Sequence, residues 1–257
     1  MIEIPLPLIL GVFGLLFGSF LNVCISRLPA GESVVTPRSR CPSCRTLIEW
    51  YDNIPVLSYL VLGGKCRKCK TKISALYPAV EVATSAAFVT VAVAFGDEPG
   101  LLLSRLVFTA LLIVLFGTDL QTQRLPNVLT YSGVIAGLVF SVFLPPYVVD
   151  SLIGAVVGAA VLLLVRAAWK LWKGVDAMGL GDVKMLAMVG AFLGWRQVPV
   201  VLFLASVAGA VIGVGLTVLR GRSMQSKLPF GTFLALAAFA ASLVGERLLS
   251  WYLGLYE

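Results

Sequence analysis

Two aspartates and four cysteines are the residues of this chain best suited to chemistry. Asp119 lies in Gly117-Thr-Asp119-Leu-Gln-Thr-Gln-Arg-Leu-Pro126-Asn127, and Asp182 lies in Gly179-Leu-Gly181-Asp182-Val-Lys184. Both border apolar stretches, where a charge is expensive and therefore a candidate for function. Two carboxylates at one depth on separate helices can converge. Brought close together they cannot both ionise cheaply, so one keeps its proton. A pair sharing one proton suits aspartic proteolysis: one carboxylate activates water, and the other hydrogen-bonds the scissile carbonyl. Gly179 and Gly181 would let backbone approach a substrate closely, and with Lys184 they form the expected support of the dyad. Taken alone, the two aspartates are equally readable as helix-end carboxylates or as partners of Arg124 and Lys184.

The cysteines form Cys41-Pro-Ser-Cys44 and Cys66-Arg-Lys-Cys69, with 21 residues between the pairs. Two C-x2-C pairs at this separation read as a closed four-thiolate zinc site of the structural kind. Arg40, Arg45, Lys65, Arg67 and Lys68 would offset the thiolate charge and lower the thiol pKa values. The alternative is a pair of disulfides, which do not persist in a cytoplasmic loop. Cys24, alone at the end of an apolar stretch, reads as a small buried apolar residue.

Composition sets the elements that must position these groups. Of 257 residues, 59% are hydrophobic and 13% charged. A soluble domain carries about twice that charged share. The expected fold is an all-α polytopic membrane protein of about eight transmembrane helices with a zinc-stabilised cytoplasmic loop. There is no histidine, which excludes Ser-His-Asp and Cys-His catalysis, HExxH zinc peptidases and any histidine base. The net charge of +7 fits basic cytoplasmic loops, so no nucleic-acid partner is expected; membrane lipids are.

Eight apolar segments are expected at Ile4–Ile25, Ile73–Phe95, Leu101–Gly117, Val128–Val149, Leu152–Trp169, Val183–Trp195, Val198–Leu219 and Phe230–Leu248. With 13 residues, Val183–Trp195 is too short to span alone, so it recruits preceding residues or is broken. The first segment lacks the basic start and cleavage site of a signal peptide and is kept as a span. With the N-terminus outside, 17 of the 20 basic residues fall on the cytoplasmic side, in Arg27–Lys72, Arg124, Arg166–Lys184 and Arg220–Lys227. Asp119 and Asp182 then lie at the cytoplasmic face. Three parts are expected: a first helix over 1–26, a four-cysteine zinc loop over 27–73, and a polytopic core over 74–257.

Other acids are weaker candidates. Glu81 lies within the second segment and has Arg105 as a possible ion-pair partner. Glu49 and Asp52 flank Trp50 and Tyr51 in the cysteine loop. Asp97, Glu98 and Asp150 read as solvated external charges. Trp169, Trp172, Trp195, Trp251, Tyr252 and Tyr256 read as interfacial anchors. Gly209, Gly213 and Gly215 read as sites of close helix packing.

In this order the pieces resemble the prepilin peptidase, or type IV leader peptidase, family. The matching stretches are Gly18 through Pro29, the two cysteine pairs, Asp52-Asn-Ile-Pro-Val-Leu-Ser-Tyr59, Gly64 through Cys69, Ile73 through Glu81, Asp119 through Asn127, Gly179 through Lys184, and Pro229-Phe-Gly-Thr-Phe-Leu234. The resemblance implies a bifunctional, multi-pass enzyme of the bacterial inner membrane with eight spans. It implies cleavage of the basic leader of type IV prepilins or type II secretion pseudopilins at the cytoplasmic face. It also implies N-methylation of the new N-terminal residue, usually Phe, by S-adenosylmethionine. The family's catalytic aspartates fall on Asp119 and Asp182, in a pattern similar to that of GxGD membrane aspartyl proteases.

Two positions depart from the family pattern: Asn127, where Asp is frequent, and Thr232, where Pro is frequent. Methylation has less support from individual residues. No G-x-G-x-x-G fingerprint is present. The attacking amine must lose a proton, for which Glu49, Asp52 and Glu81 are the candidates. Family members without the zinc loop resemble peptidase-only enzymes, so its presence favours the bifunctional form. The competing readings are a peptidase without methyl transfer, a transporter with a zinc-stabilised regulatory loop, and a structural assembly protein.

Overall fold

A computed structural model describes residues 5–175, 178–220 and 229–254. Expectations for Tyr256, Arg222, Lys227 and the start of the first span at Ile4 lie outside them. The described residues hold nine α-helices: α1 Leu6–Arg27, α2 Leu57–Val61, α3 Leu76–Phe95, α4 Pro99–Thr122, α5 Asn127–Ser141, α6 Val148–Lys173, α7 Leu180–Leu193, α8 Gln197–Arg220 and α9 Phe230–Leu253. There is no strand among them, only two isolated bridges, Arg40 with Leu47 and Lys65 with Lys72. Six helices are long and apolar enough to cross a membrane. With the shorter α5 and α7 they account for the eight expected segments, so the chain is an all-helical, polytopic membrane protein.

Two compact units divide between Leu102 and Leu103. The first comprises α1, the cysteine loop with α2, and α3. Three small residues of α1, Gly11, Gly14 and Gly18, face Ser85, Thr84 and Glu81 of α3. This spacing lets two backbones pack closely where lipid offers no hydrophobic drive. Ser85 Oγ donates to Gly11 O at 2.8 Å, and Asn22 Nδ2 donates to Tyr77 O at 2.9 Å. Compaction thus groups α3 with α1 and the loop, whereas the sequence reading drew its boundary at 73–74.

The second unit is built around α7. Met185, Leu186, Met188 and Val189 are fully buried, in contact with α5, α6, α8 and α9. At 14 residues the helix is about 21 Å long, short of the ~30 Å hydrocarbon core. It recruits Leu180, Gly181 and Asp182 ahead of the expected segment and stops at Gly194, whose φ is +80°. Its C-terminal carbonyls are capped from other helices: Arg105 Nη1 donates to Phe192 O at 3.2 Å, and Ser151 Oγ donates to Ala191 O. A Cβ on Gly154 or Gly190 would run into the other's backbone, so α6 and α7 touch main chain to main chain there.

Helix ends overshoot the apolar boundaries. The helix α4 continues to Thr122, so Asp119 lies in its last turn instead of after the span. The chain turns only at Gln123, with φ +52°, ahead of Pro126. Asp150 is not a free loop charge: it lies in the first turn of α6 and accepts from Trp195 Nε1 at 3.1 Å. Gly209 packs toward Phe233, while a side chain on Gly215 would meet nothing.

Candidate active site

Three helix ends of the second unit converge on Asp119. The carboxyl groups of Asp119 and Asp182 are both buried, 5% and 9% exposed, and near enough for their charges to interact. Asp119 is reached from α9. Thr232 donates twice to Asp119 Oδ2, from its backbone N at 2.7 Å and from Oγ1 at 3.0 Å. Thr232 is the third residue of α9, one of the four whose N–H has no acceptor inside the helix. A free amide at a helix N-terminus suits a carboxylate.

Glycine makes the approach possible. A Cβ on Gly231 would stand 2.9 Å from Asp119 Oδ2 and 3.1 Å from Leu125. A Cβ on Gly181 would stand 3.0 Å from Leu125 on its other side. Leu125 is thus wedged between the starts of α7 and α9. Asp182 lies in the first turn of α7, whose N-cap residue is Gly179, and the Gly179 amide interacts with its carboxyl. Lys184 forms no salt bridge to either aspartate: its Nζ donates to Asn127 Oδ1 at 2.8 Å and lies over the Tyr131 ring. Of the two departures from the family pattern, Thr232 bonds directly to Asp119, and Asn127 holds Lys184.

The cysteine loop of the first unit is a separate site. Cys41 Sγ and Cys69 Sγ are 3.8 Å apart, Cys44 Sγ and Cys66 Sγ 4.0 Å, and all four sulfurs lie within 4.8 Å of one another. A zinc ion bound about 2.3 Å from four sulfurs needs edges of about 3.8 Å. The donor set fits a tetrahedral metal, and all four cysteines are free thiols. The two halves are near-copies. Cys41 N and Cys66 N each donate to the carbonyl of a threonine, Thr46 and Thr71, at 2.9 Å. Arg45 and Lys70 take φ of +56° and +58°. Thr46 and Thr71 place their hydroxyls 3.5 and 3.3 Å from Cys44 Sγ and Cys69 Sγ. The hydroxyl and backbone of Thr46 pull the Cys44 thiol below its usual value, and those of Thr71 hold Cys69 at about 6. The sequence reading missed these threonines, although Cys-x-x-Cys-Arg/Lys-Thr occurs twice.

The remaining acids of this unit are anchors. Asp52 accepts a bidentate ion pair from Arg67, with its shortest contact 2.6 Å, and Arg67 also covers the Tyr51 ring. Hydrogen bonding from Arg67 lowers the Asp52 pKa, and Asp52 raises that of Arg67. Glu81, 8% exposed, accepts from Val56 N at 2.7 Å. In the second unit Arg105 donates to Phe192 O. Glu49 is exposed just before the turn Trp50–Asn53. A cavity of about 300 Å³ lies between the end of α1 and the loop, lined in part by Arg27, Arg38, Ile48, Trp50 and Asn53.

Comparison with known proteins follows the same division. Residues 12–95 match the bacterial peptidase A24 N-terminal domain, and residues 106–214 match the type IV leader peptidase family. A prepilin leader peptidase/N-methyltransferase of Aeromonas salmonicida (strain A449) is 40% identical over 94% of this chain and 92% of its own length. The chain belongs to the type IV leader peptidase family. It is accordingly an enzyme of a membrane aspartic protease class. Relatives of the same description include those of Pseudomonas putida, 38% identical over 92% of this chain and 90% of theirs, and Pseudomonas aeruginosa, 38% over 94% and 91%. No solved structure matched the chain.

Proposed function

We propose that this leader peptidase family member removes the leader of type IV prepilins or type II secretion pseudopilins with Asp119 and Asp182, then methylates the new N-terminus. The observation that carries the peptidase reading is the buried convergence of both carboxyls, with Thr232 bonded to Asp119. In the reaction the ionised carboxylate takes a proton from water as its oxygen attacks the scissile carbonyl carbon. The protonated carboxyl hydrogen-bonds the carbonyl oxygen, then gives its proton to the leaving amine as the C–N bond breaks. Burial excludes bulk water and strengthens both interactions.

The relatives' names support methyl transfer, and we assign it to the first unit, beside the cysteine loop. S-adenosylmethionine supplies the methyl group there. The cavity beside α1 suits such a donor: the exposed Trp50 ring can stack on a purine, and Arg27 or Arg38 can hold a carboxylate. Cys41, Cys44, Cys66 and Cys69 would hold a structural zinc that fixes the loop. Asp52 and Glu81 then act as anchors of that loop, and Glu49 remains the candidate base for the amine. The distribution of basic residues supports an inner-membrane enzyme with its N-terminus outside and both sites at the cytoplasmic face.

Mass spectrometry of a prepilin N-terminus after incubation with the enzyme and S-adenosylmethionine tests this reading. A shortened product carrying one methyl group is expected. A shortened, unmethylated product removes the transferase; an intact substrate removes the peptidase.

A further inference from the structure

We infer that Thr232 is a positioning residue that holds Asp119 in its ionised form, making Asp119 the base of the peptidase and Asp182 the proton-bearing partner. The inference rests on the dyad reading above and adds the division of labour within it.

Both protons offered by Thr232 go to one oxygen. Its amide and hydroxyl donate to Asp119 Oδ2 at 2.7 and 3.0 Å. An oxygen with two donors aimed at it is served best as a carboxylate, because both bonds strengthen with negative charge. Asp119 Oδ1 has no donor among the described residues, so it is the oxygen left to face water. Among the described residues Asp182 has no hydroxyl donor; its support is the Gly179 amide. The single proton of the pair therefore belongs on Asp182. In the reaction a proton passes from water to Asp119 as the C–O bond forms. Asp182 then releases its proton to the amine as the C–N bond breaks, and transfer from Asp119 to Asp182 restores the pair.

Among the described residues, no hydrogen bond or ion pair joins another charged side chain to Asp119. From α7 the groups near Asp119 are Asp182 and Lys184, and Lys184 is engaged with Asn127. The helix α5 has no charged residue, α8 has none before Arg220, and α9 has none before Glu246. On α4 the nearest is Arg105, bonded to Phe192 O, and Arg124 follows the helix. The buried Thr232, 5% exposed, is thus the local determinant of which carboxyl is charged.

The test is the pH profile of prepilin cleavage by the full chain in membranes or detergent. Thr232→Val removes the hydroxyl at nearly constant volume. Thr232→Pro removes both donors at a helix position where a missing N–H breaks no intrahelical bond. Losing the hydroxyl should move the acid limb of kcat up by about one pH unit, and losing both donors by more, with KM unchanged. Thr232→Ser should return the limb to its wild-type position, and Thr232→Ala replaces the valine variant if that one does not fold. An acid limb unmoved in the valine and proline variants, or unrestored by serine, overturns the inference while leaving the dyad intact. Cleavage by Asp119→Asn would instead overturn the dyad reading itself, and this inference with it.

Discussion

The cysteine loop and the aspartate pair hold polar groups in place by opposite means. In the loop the ligands are local: each C-x2-C pair sits on one turn, braced by a left-handed residue and a threonine. Little of it is buried: Cys41 is, but Cys44, Cys69 and the Arg67 side of the ion pair with Asp52 are exposed. On the zinc reading, such a segment would draw on the metal for the core it lacks. The aspartates are buried by helices that would pack without them, and Asp119 is bonded to a residue 113 positions away. One site is set by spacing along the chain, and the other by which helix ends meet.

If this contrast is right, damage at the two sites should separate. The largest effect is expected at the dyad. Asp119→Asn or Asp182→Asn should lower cleavage by about a thousandfold or more, judged by N-terminal mass spectrometry on protein that remains monodisperse. Cleavage retained in either variant would break the comparison at its stronger half. Next comes the metal. Cys66→Ser, or a strong chelator, should remove the bound zinc, open the loop to protease and abolish methyl transfer. Asp119 and Asp182 lie in the other compact unit, so cleavage should stay within about threefold. Zinc content per chain measured by metal analysis checks this, and a wild type without zinc contradicts it.

Two smaller effects sharpen the contrast. Gly231→Ala brings a methyl group to 2.9 Å from Asp119 Oδ2 and should slow cleavage about ten- to a hundredfold, read as kcat, without touching methyl transfer. Asp52→Asn removes an exposed ion pair and should speed proteolysis of the loop only about two- to fivefold. Because Arg67 depresses the Asp52 pKa below 3.8, its contribution is fully present above that value. It fades as the pH falls below 3.8 through the folded-state pKa. Limited proteolysis should show a smaller difference between the wild type and Asp52→Asn near pH 3 than at neutral pH.

The same contrast explains what the sequence could disclose. Four cysteines in two triplet-spaced pairs are legible because the ligand geometry is local. Eight apolar segments and a basic bias are legible because lipid imposes them. The helix ends were not, since α4 runs on through Asp119 to Thr122 and hydropathy alone does not stop a helix. The shortness of α7 was visible, but its burial at the centre of a unit depends on glycines of α6 that look like any others in a membrane span. Thr232 showed only as a departure from the family pattern. Its two hydrogen bonds to Asp119 required the start of α9 to meet the end of α4, which no spacing rule encodes. For Glu81 the sequence offered Arg105 as a partner, and the backbone amide of Val56 that donates to it within its own unit carried no sequence signal.

The central claim, two separable activities on one chain, is tested most directly by one comparison. Asp182→Asn is offered two substrates in parallel with S-adenosylmethionine: an intact prepilin and the same pilin already cleaved. The products are read by mass spectrometry. The account predicts no cleavage of the first and one added methyl group on the second. A variant that cleaves the prepilin, or that fails to methylate the cleaved pilin while correctly folded, would contradict it.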